Sequence, residues 1–166
     1  MKYSIVFSSQ TGNTRLLAET LQEILPQEDL VYFGEPSDEA LVADRIYAGF
    51  WTDKGSCDAK SADFLKRINK QEVFLFGTAG FGENPSYFEK ILKKTRSYLG
   101  NQVTVIGSYM CQGKMPMSVR ERYMKMKEQQ IKIPNLDGLI ANFDRALSHP
   151  NEKDLQELKE CVRCTK

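Results

Sequence analysis

The sequence has no hydrophobic run long enough to cross a membrane. None approaches the roughly 20 apolar residues that a bilayer-spanning helix needs. The first residues, Met1-Lys2-Tyr3, lead directly into a strand pattern, without the apolar stretch of a secretory signal. We therefore expect a cytoplasmic protein with no membrane partner.

The sequence also has few cysteines and a net charge close to zero. The cysteines are too few and too scattered for a disulfide framework, so we expect free thiols at Cys57, Cys111, Cys161 and Cys164. The formal net charge is only +1, so nothing in the overall charge indicates a nucleic-acid partner. The 166 residues fit one domain with a single core.

One polar stretch near the start, Ser8 to Thr14, organises the rest of the chain. It follows the apolar run Tyr3 to Phe7, which predicts a buried strand, and precedes Arg15 to Leu25, where apolar residues recur at helical spacing. In such a strand-to-helix turn, free backbone N–H groups and the helix dipole favour an anion, and nearby hydroxyls add donors. The candidate anion-binding residues are Ser9, Gln10, Thr11, Gly12, Asn13 and Thr14.

The kind of anion follows from what the turn lacks. It has neither the Gly-Lys-Ser/Thr ending of a nucleoside-triphosphate loop nor the three spaced glycines of a dinucleotide-binding turn. It also contains no lysine and no acidic metal ligand. A phosphate monoester held by neutral donors therefore fits best, and Gly12 would let the backbone approach it closely.

Strands alternate with helices along the remaining chain. Further strands are predicted at 30–33, 45–50, 73–77 and 103–107, and further helices at 35–42, 59–68, 86–99 and 137–147, before a tail helix at 152–163 capped by Asn151. This alternation predicts a five-stranded parallel sheet with right-handed crossovers. In the strand order 2-1-3-4-5, ligands bind beyond the carboxyl ends of the strands, where the loops 8–14, 48–56 and 78–84 would meet.

The turn Ser9 to Thr14 resembles the Ser/Thr-x-Thr-Gly-x-Thr phosphate loop of the flavodoxin family, which holds the terminal phosphate of flavin mononucleotide (FMN). The resemblance extends over roughly Met1 to Leu147. It implies an α/β protein with the flavodoxin-like fold, a three-layer α/β/α sandwich around a five-stranded parallel sheet in the order 2-1-3-4-5. One domain over 1–166 is implied, with its core in 1–147 and a C-terminal helix at 151–164.

The same resemblance places the flavin ring between the two later loops. Trp51, the only tryptophan, would stack on one face of the ring, with Phe81 near it. The peptide 52–53 matches a family peptide that rotates to accept the flavin N5 proton, although the nearest glycine is Gly55. The residues implied for these loops are Phe50, Trp51, Thr52, Asp53, Thr78, Ala79, Gly80, Phe81 and Gly82, with no metal and no catalytic residue.

The resemblance also implies a function. Flavodoxins pass electrons from a reductase donor to an acceptor enzyme, and we expect a monomer or weak dimer with such redox partners. The stretches 48–55 and 78–82 are similar to small flavodoxin-like proteins of anaerobic bacteria, one group of which accompanies a bilirubin reductase. Two alternatives stay open: an FMN-dependent NAD(P)H:quinone or related oxidoreductase, and a cofactor-free interaction protein on the same fold.

Two features lie outside this pattern. Between Lys114 and Lys132 there are six basic and two acidic side chains, which indicate a solvated helix face, a docking patch for an acidic partner, or an arm over the cofactor. The surrounding segment 108–135 is long for a connection and holds five of the six methionines. Cys161 and Cys164 have the spacing of a metal or dithiol pair, but no second ligand pair is near, so we expect an incidental pair.

Overall fold

The computed structural model describes residues 1–82 and 84–165. The strands are β1 (Tyr3–Phe7), β2 (Leu30–Gly34), β3 (Arg45–Asp53), β4 (Ser56–Cys57), β5 (Glu72–Ala79) and β6 (Thr104–Gln112). The α-helices are α1 (Asn13–Ile24), α2 (Ala59–Arg67), α3 (Pro85–Arg96), α4 (Met117–Glu128), α5 (Leu136–Ala146) and α6 (Glu152–Arg163), and 3-10 helices occupy Gln27–Asp29 and Asp38–Val42. Within the described residues, no helix combines the length and apolar character that crossing a membrane requires.

Five parallel strands form the main sheet in the order β2-β1-β3-β5-β6, and the short β4 pairs antiparallel with β3. The expected strand order and parallel pairing are therefore confirmed. β5 has a strand on each side, and its residues from Val73 to Ala79 are all buried. A strand covered on both faces requires apolar side chains at successive positions, which explains why this is the most apolar strand of the chain.

Alternate side chains of β5 supply two cores, one on each face of the sheet. Phe74 packs on one face with Leu17 of α1 and Leu158 of α6. Leu75 packs on the opposite face with residues of α2 and α3, including Ile91. Helices therefore cover both faces, which gives the expected three-layer α/β/α sandwich.

The C-terminal helix α6 belongs to this sandwich. Asn151 caps it as expected: its side chain accepts the Asp154 N–H (3.0 Å), and the Asp154 carboxylate accepts the Asn151 N–H (2.8 Å). Leu158 and Val162 are 0% and 6% exposed, so the helix contributes directly to the core.

The strands β3, β5 and β6 continue for several residues past their glycines, so the predicted strand ends are wrong. Gly77 and Gly107 lie inside strands and pair in register with their neighbours. A Cβ at Gly107 would lie 2.9 Å from the Phe74 ring, and one at Gly77 would overlap the Phe50 ring. These glycines therefore make room for buried aromatic rings and do not end the strands.

Two further segments differ from the prediction. The helix predicted at 35–42 is a 3-10 helix over Asp38–Val42, capped by the Ser37 hydroxyl, which accepts the Glu39 N–H (3.3 Å). The long connection predicted at 108–135 consists mainly of the end of β6 and the separate helix α4. The basic segment therefore lies largely on a helix.

Candidate functional site

The polar turn after β1 presents a run of unpaired backbone donors. Gly12, with φ 88°, stands immediately before α1. The Ser8 N–H donates to a β3 carbonyl (3.1 Å), and the Arg15 N–H donates to the Ser9 hydroxyl (3.3 Å). Among the described residues, no backbone N–H from Ser9 to Thr14 has a hydrogen-bond partner. Such a helix start favours an anion.

The side chains of this turn are largely engaged within the protein. Thr14 is fully buried and donates its hydroxyl to the Phe50 carbonyl (3.0 Å). Thr11 Oγ1 (3.1 Å) and Asn13 Nδ2 (2.8 Å) both donate to the Lys114 carbonyl. The side-chain donors of Thr11, Asn13 and Thr14 are thus used within the protein, whereas the backbone N–H groups of the turn have no partner among the described residues.

The end of β3 forms a second wall. The half-buried Trp51 is held by Asp58, whose N–H donates to the Trp51 carbonyl (3.0 Å) and whose Oδ1 accepts the Trp51 N–H (3.3 Å). The next residue, Thr52, has a buried hydroxyl with no hydrogen-bond partner among the described residues. A buried polar group left unpaired costs about 1–3 kcal/mol. Thr52 thus brings to this wall an oxygen that a ligand could satisfy.

The peptide 52–53 lies in a hairpin formed by β3 and β4, within the stretch 48–56 for which the sequence predicts a loop. Asp53 pairs with Ser56 across the turn Lys54-Gly55, whose residues have φ 51° and 81°. Positive φ at both positions is typical of a tight turn that matches the strand twist. Rotation of the peptide 52–53 would therefore have to take place within a strand pair, in which Thr52 faces Cys57 and Asp53 faces Ser56.

The third wall is the end of β5 and the residues after it. The Gly80 carbonyl accepts hydrogen bonds from Gln112 Nε2 (2.9 Å) and Asn142 Nδ2 (3.0 Å), and the two amides bond to each other (3.0 Å). Both amides are buried. Sequence reasoning missed them because they lie 32 and 62 residues from Gly80 and no local pattern marks them.

The segment 113–116, here called the strap, closes the space between these walls. The Gly113 N–H donates to the Ala79 carbonyl (2.9 Å). Met115 packs so closely on Gly80 that a Cβ there would lie 2.6 Å from the sulfur. The strap therefore joins the end of β5 to the polar turn, where its Lys114 carbonyl is bound.

A cavity of about 60 Å³ remains under the strap. Its lining brings together the predicted site residues Gln10, Thr11, Asn13, Trp51, Thr52, Thr78, Ala79 and Gly80 with the strap itself. Ligand sites usually measure about 300–1,000 Å³. The space under the strap is therefore smaller than a usual cofactor site.

The other predicted site residues lie outside this cavity. Phe50 is 1% exposed and packs in the core, so only its backbone takes part, through Thr14. Asp53 is at the exposed end of β3. Phe81 is 39% exposed and contacts Tyr87, with ring centroids 6.3 Å apart. Three more lie beside neighbouring clefts, namely Ser9, Gly12 and Gly82.

One charged residue, Lys114, lines the cavity, and its backbone connects to a histidine that pairs with an aspartate. The Lys114 N–H donates to the His149 carbonyl (3.1 Å), and His149 Nδ1 lies 2.6 Å from Asp154 Oδ2. Burial raises the pKa of the Cys111 thiol, so it stays neutral near pH 7. Cys161 donates its thiol to the Ser108 carbonyl (3.3 Å). Among the described residues, no group of three or more His, Cys, Asp and Glu is arranged to hold a metal ion.

Known proteins are similar to this chain over nearly its whole length. A family model described as a flavodoxin domain matches residues 4–163. The chain is 40% identical to the flavodoxin-like domain-containing protein BilS of Clostridium symbiosum, in an alignment covering 93% of this chain and 90% of that protein.

Solved structures share the fold at low sequence identity. A flavodoxin from the domain Archaea gives a TM-score of 0.54 at 17% identity, covering 97% of this chain and 93% of that one. A flavoprotein of Lactobacillus acidophilus in complex with FMN gives a TM-score of 0.50 at 16% identity, covering 66% of this chain and 92% of that one. At these identities, the likeness establishes the fold alone.

Proposed function

The chain belongs to the flavodoxin family, and from this premise we propose that it binds FMN and passes electrons between redox enzymes without substrate chemistry of its own. The observation that carries the proposal is the run of backbone N–H groups from Ser9 to Thr14, at the start of α1, that have no hydrogen-bond partner among the described residues. These groups and the helix dipole suit the phosphate of FMN, and the turn has no lysine that would favour a triphosphate.

The cavity residues fit the rest of the cofactor. FMN supplies reversible one- and two-electron chemistry when bound, and the protein supplies binding, orientation and electrostatics. Thr52 would offer its unpaired hydroxyl to a polar edge of the flavin, and Trp51 would cover apolar ring surface. The Gln112 and Asn142 amides would keep the Gly80 peptide in place as the third wall.

Strap movement is part of this proposal. The Lys114 carbonyl now takes the side-chain donors of Thr11 and Asn13, which would become available to ligand oxygens once the strap lifted. Met115 would leave Gly80 in the same motion, because Met115 directly follows Lys114 in the strap. FMN uptake should therefore convert a closed strap into an open one.

We propose that a reductase donates the electrons and that the acceptor is a flavin reductase of the bilirubin-reductase type. The stretches 48–55 and 78–82, which are similar to small flavodoxin-like proteins that accompany a bilirubin reductase, support this choice of acceptor. We further propose a monomer or weak dimer in the cytoplasm, without nucleic-acid or membrane partners. The acceptor proposal would be wrong if the FMN-loaded protein neither bound such a reductase nor changed its turnover.

Stepwise anaerobic reduction of the FMN-loaded protein, followed by absorption spectra, tests the central proposal. Two resolved one-electron steps, with no reduction by NADPH in a parallel cuvette, would support an electron carrier. Direct reduction by NADPH would instead support the oxidoreductase alternative. A protein that takes up no FMN would leave only the interaction-protein alternative.

A further inference from the structure

Helix α4 is weakly anchored to the rest of the protein. Tyr123 is its only buried side chain, and the helix packs mainly on α5. Two ion pairs tie it to that neighbour: Arg120 with Asp144 (3.0 Å) and Lys127 with Asp137 (3.2 Å). A helix that is polar nearly all round gains little from the core, so its exposed faces need another explanation.

The exposed faces of α4 and its flanks are strongly basic. The stretch from Lys114 to Lys132 holds six of the 23 Lys and Arg residues but only two of the 22 Asp and Glu residues. The exposed side chains of Arg122 and Lys125 have no ion-pair partner among the described residues, and the same is true of Lys114 and Lys132. The stretch 114–132 therefore carries a net charge of +4 in a nearly neutral protein, although Arg120 and Lys127 are already paired with carboxylates of α5.

This basic helix starts beside the proposed cofactor cavity. Pro116, the residue before α4, lines that cavity, and Met115 packs on Gly80. The residues that follow these two contact points are exposed and apolar: Met117 is 56% exposed and Phe81 is 39% exposed. Apolar groups beside the cavity thus adjoin a basic helix, as in an interface with an apolar centre and a charged rim.

Charge alone does not single out α4, because α3 also ends in exposed lysines. Lys93 and Lys94 lie in the last turn of α3 and have no ion-pair partner among the residues described. However, α3 begins after the carboxyl end of β5 and runs back along the sheet, so its last turn is remote from the cavity. The combination of charge, exposed apolar residues and nearness to the cavity distinguishes α4.

We propose that the basic face of α4, together with Met117 and Phe81, docks the acidic surface of a redox partner enzyme beside the flavin. This inference rests on the proposed function and deepens it by specifying the charge of the partner. Arg122 and Lys125 would face carboxylates of the partner, and Met117 would adapt to its apolar surface. Exposed rim charges act mainly on the association rate, so docking should weaken as ionic strength rises.

A matched pair of double variants tests the surface. Arg122→Glu/Lys125→Glu reverses two exposed charges on α4, and Lys93→Glu/Lys94→Glu makes the same charge change on α3. The FMN-loaded, reduced proteins are mixed in a stopped-flow instrument with oxidised cytochrome b5, a small acidic haem protein, and with cytochrome c, a basic one. We expect the α4 variant to reduce cytochrome b5 about tenfold more slowly at low salt. The α3 variant should stay within twofold of the parent, and cytochrome c should show no such loss.

Titration of the ¹⁵N-labelled protein without FMN against cytochrome b5 gives a readout that needs no cofactor. The docking face would be supported by amide shifts that are concentrated in 114–132, are absent in the α4 variant and are retained in the α3 variant. This result would hold even if the protein took up no FMN and the proposed function were wrong. Equal effects of the two variants, or shifts concentrated on α3, would overturn the docking face. In that case, FMN uptake and stepwise reduction would leave the proposed function intact.

Discussion

At the scale of single residues, the site depends on a few positions that the rest of the fold does not need. Gly12 has a left-handed backbone at the start of α1, and nothing lies within 4 Å of where its Cβ would be. Its replacement would therefore strain the backbone without a clash inside the protein. Thr52 leaves a buried oxygen without a partner, which costs stability unless a ligand binds it.

Gly12→Val should abolish tight FMN binding, because the side chain would stand where the phosphate approaches the free N–H groups. The strained backbone should also cost about 1–2 kcal/mol of folding free energy. Gly55→Val is the control, because Gly55 also has positive φ (81°) and open space around it. Urea unfolding should show a similar stability loss in both variants, while flavin-fluorescence titration shows a much larger loss of affinity in Gly12→Val. Unchanged affinity in Gly12→Val would refute the phosphate assignment.

Thr52→Val should change stability and cofactor binding in opposite directions. Removal of the unpaired oxygen should stabilise the cofactor-free protein by on the order of 1 kcal/mol, whereas FMN should bind several-fold more weakly. Ser56→Ala is the matched control, because its hydroxyl is also buried without a partner in the described structure but does not line the cavity. That variant should gain stability and keep its affinity for FMN. Equal FMN affinities in the two variants would remove Thr52 from the site.

Trp51→Ala should raise the potential of the bound flavin, since an electron-rich ring beside the flavin disfavours an added electron. It should also restore flavin fluorescence and weaken binding by about 3–10-fold, the worth of an aromatic contact of about 0.5–1.5 kcal/mol. Phe81→Ala provides the comparison, because Phe81 contacts Tyr87 outside the cavity and should have a smaller effect. Equal potentials and fluorescence in Trp51→Ala and the parent would contradict the proposed contact.

At the scale of elements, local patterns identified most strands and helices, but they failed where distant parts of the chain meet. The tail helix was predicted over its full length, because Asn151 and Asp154 form a capping box that sequence spacing reveals. The sequence predicted that β5 ends at Gly77, which is wrong. The Phe50 ring fills the space where a Gly77 side chain would lie, and Phe50 comes from another strand. The strap was not predicted for the same reason, since Thr11 donates to the Lys114 carbonyl although the two residues are 103 positions apart in the sequence.

Gly113→Ala should loosen the strap and speed FMN uptake. A Cβ at Gly113 would overlap the Asn13 amide, so the bond from Asn13 to the Lys114 carbonyl would be lost and the open strap would become more populated. The stopped-flow association rate of FMN should therefore rise several-fold. Gly138→Ala forces a comparable overlap with Asn135 near the start of α5 and should leave this rate unchanged. Identical rates in both variants would mean that the strap does not limit uptake.

At the scale of the whole molecule, the alternation of strands and helices and the polar turn after β1 were enough to predict the fold, and they indicate the carboxyl edge of the sheet for the candidate site. Leu75 and Phe74 alternate between two cores, as an apolar central strand requires. The small cavity under the strap and the buried amides Gln112 and Asn142 depend on how the layers pack, which no local pattern encodes. The whole fold also buries titratable groups, and these make its stability depend on pH.

The free energy of unfolding should fall steeply between about pH 10 and pH 12. Tyr3 is 4% exposed and donates its hydroxyl to the Pro26 carbonyl (2.9 Å). Burial, followed by the nearby charges of Tyr47, Asp29 and Glu28, raises the pKa of Tyr3 to about 12 from its usual value near 10. The folded state therefore keeps the phenol proton over a range in which the unfolded chain has lost it. The resulting stabilisation is complete below pH 10 and disappears as pH rises through 12.

The size of this loss and its origin can be measured by urea unfolding at pH 8 and pH 11.5. Two pKa units correspond to roughly 3 kcal/mol, of which about 2 kcal/mol would be lost between these two pH values. Tyr109, whose pKa burial also raises, adds in the same direction. Tyr3→Phe should cost about 1 kcal/mol at pH 8 through its lost hydrogen bond. It should then lose less stability than the parent between the two pH values, because no phenol remains to ionise at that position. If Tyr3→Phe and Tyr109→Phe both lost as much stability as the parent between the two pH values, other groups would control alkaline unfolding.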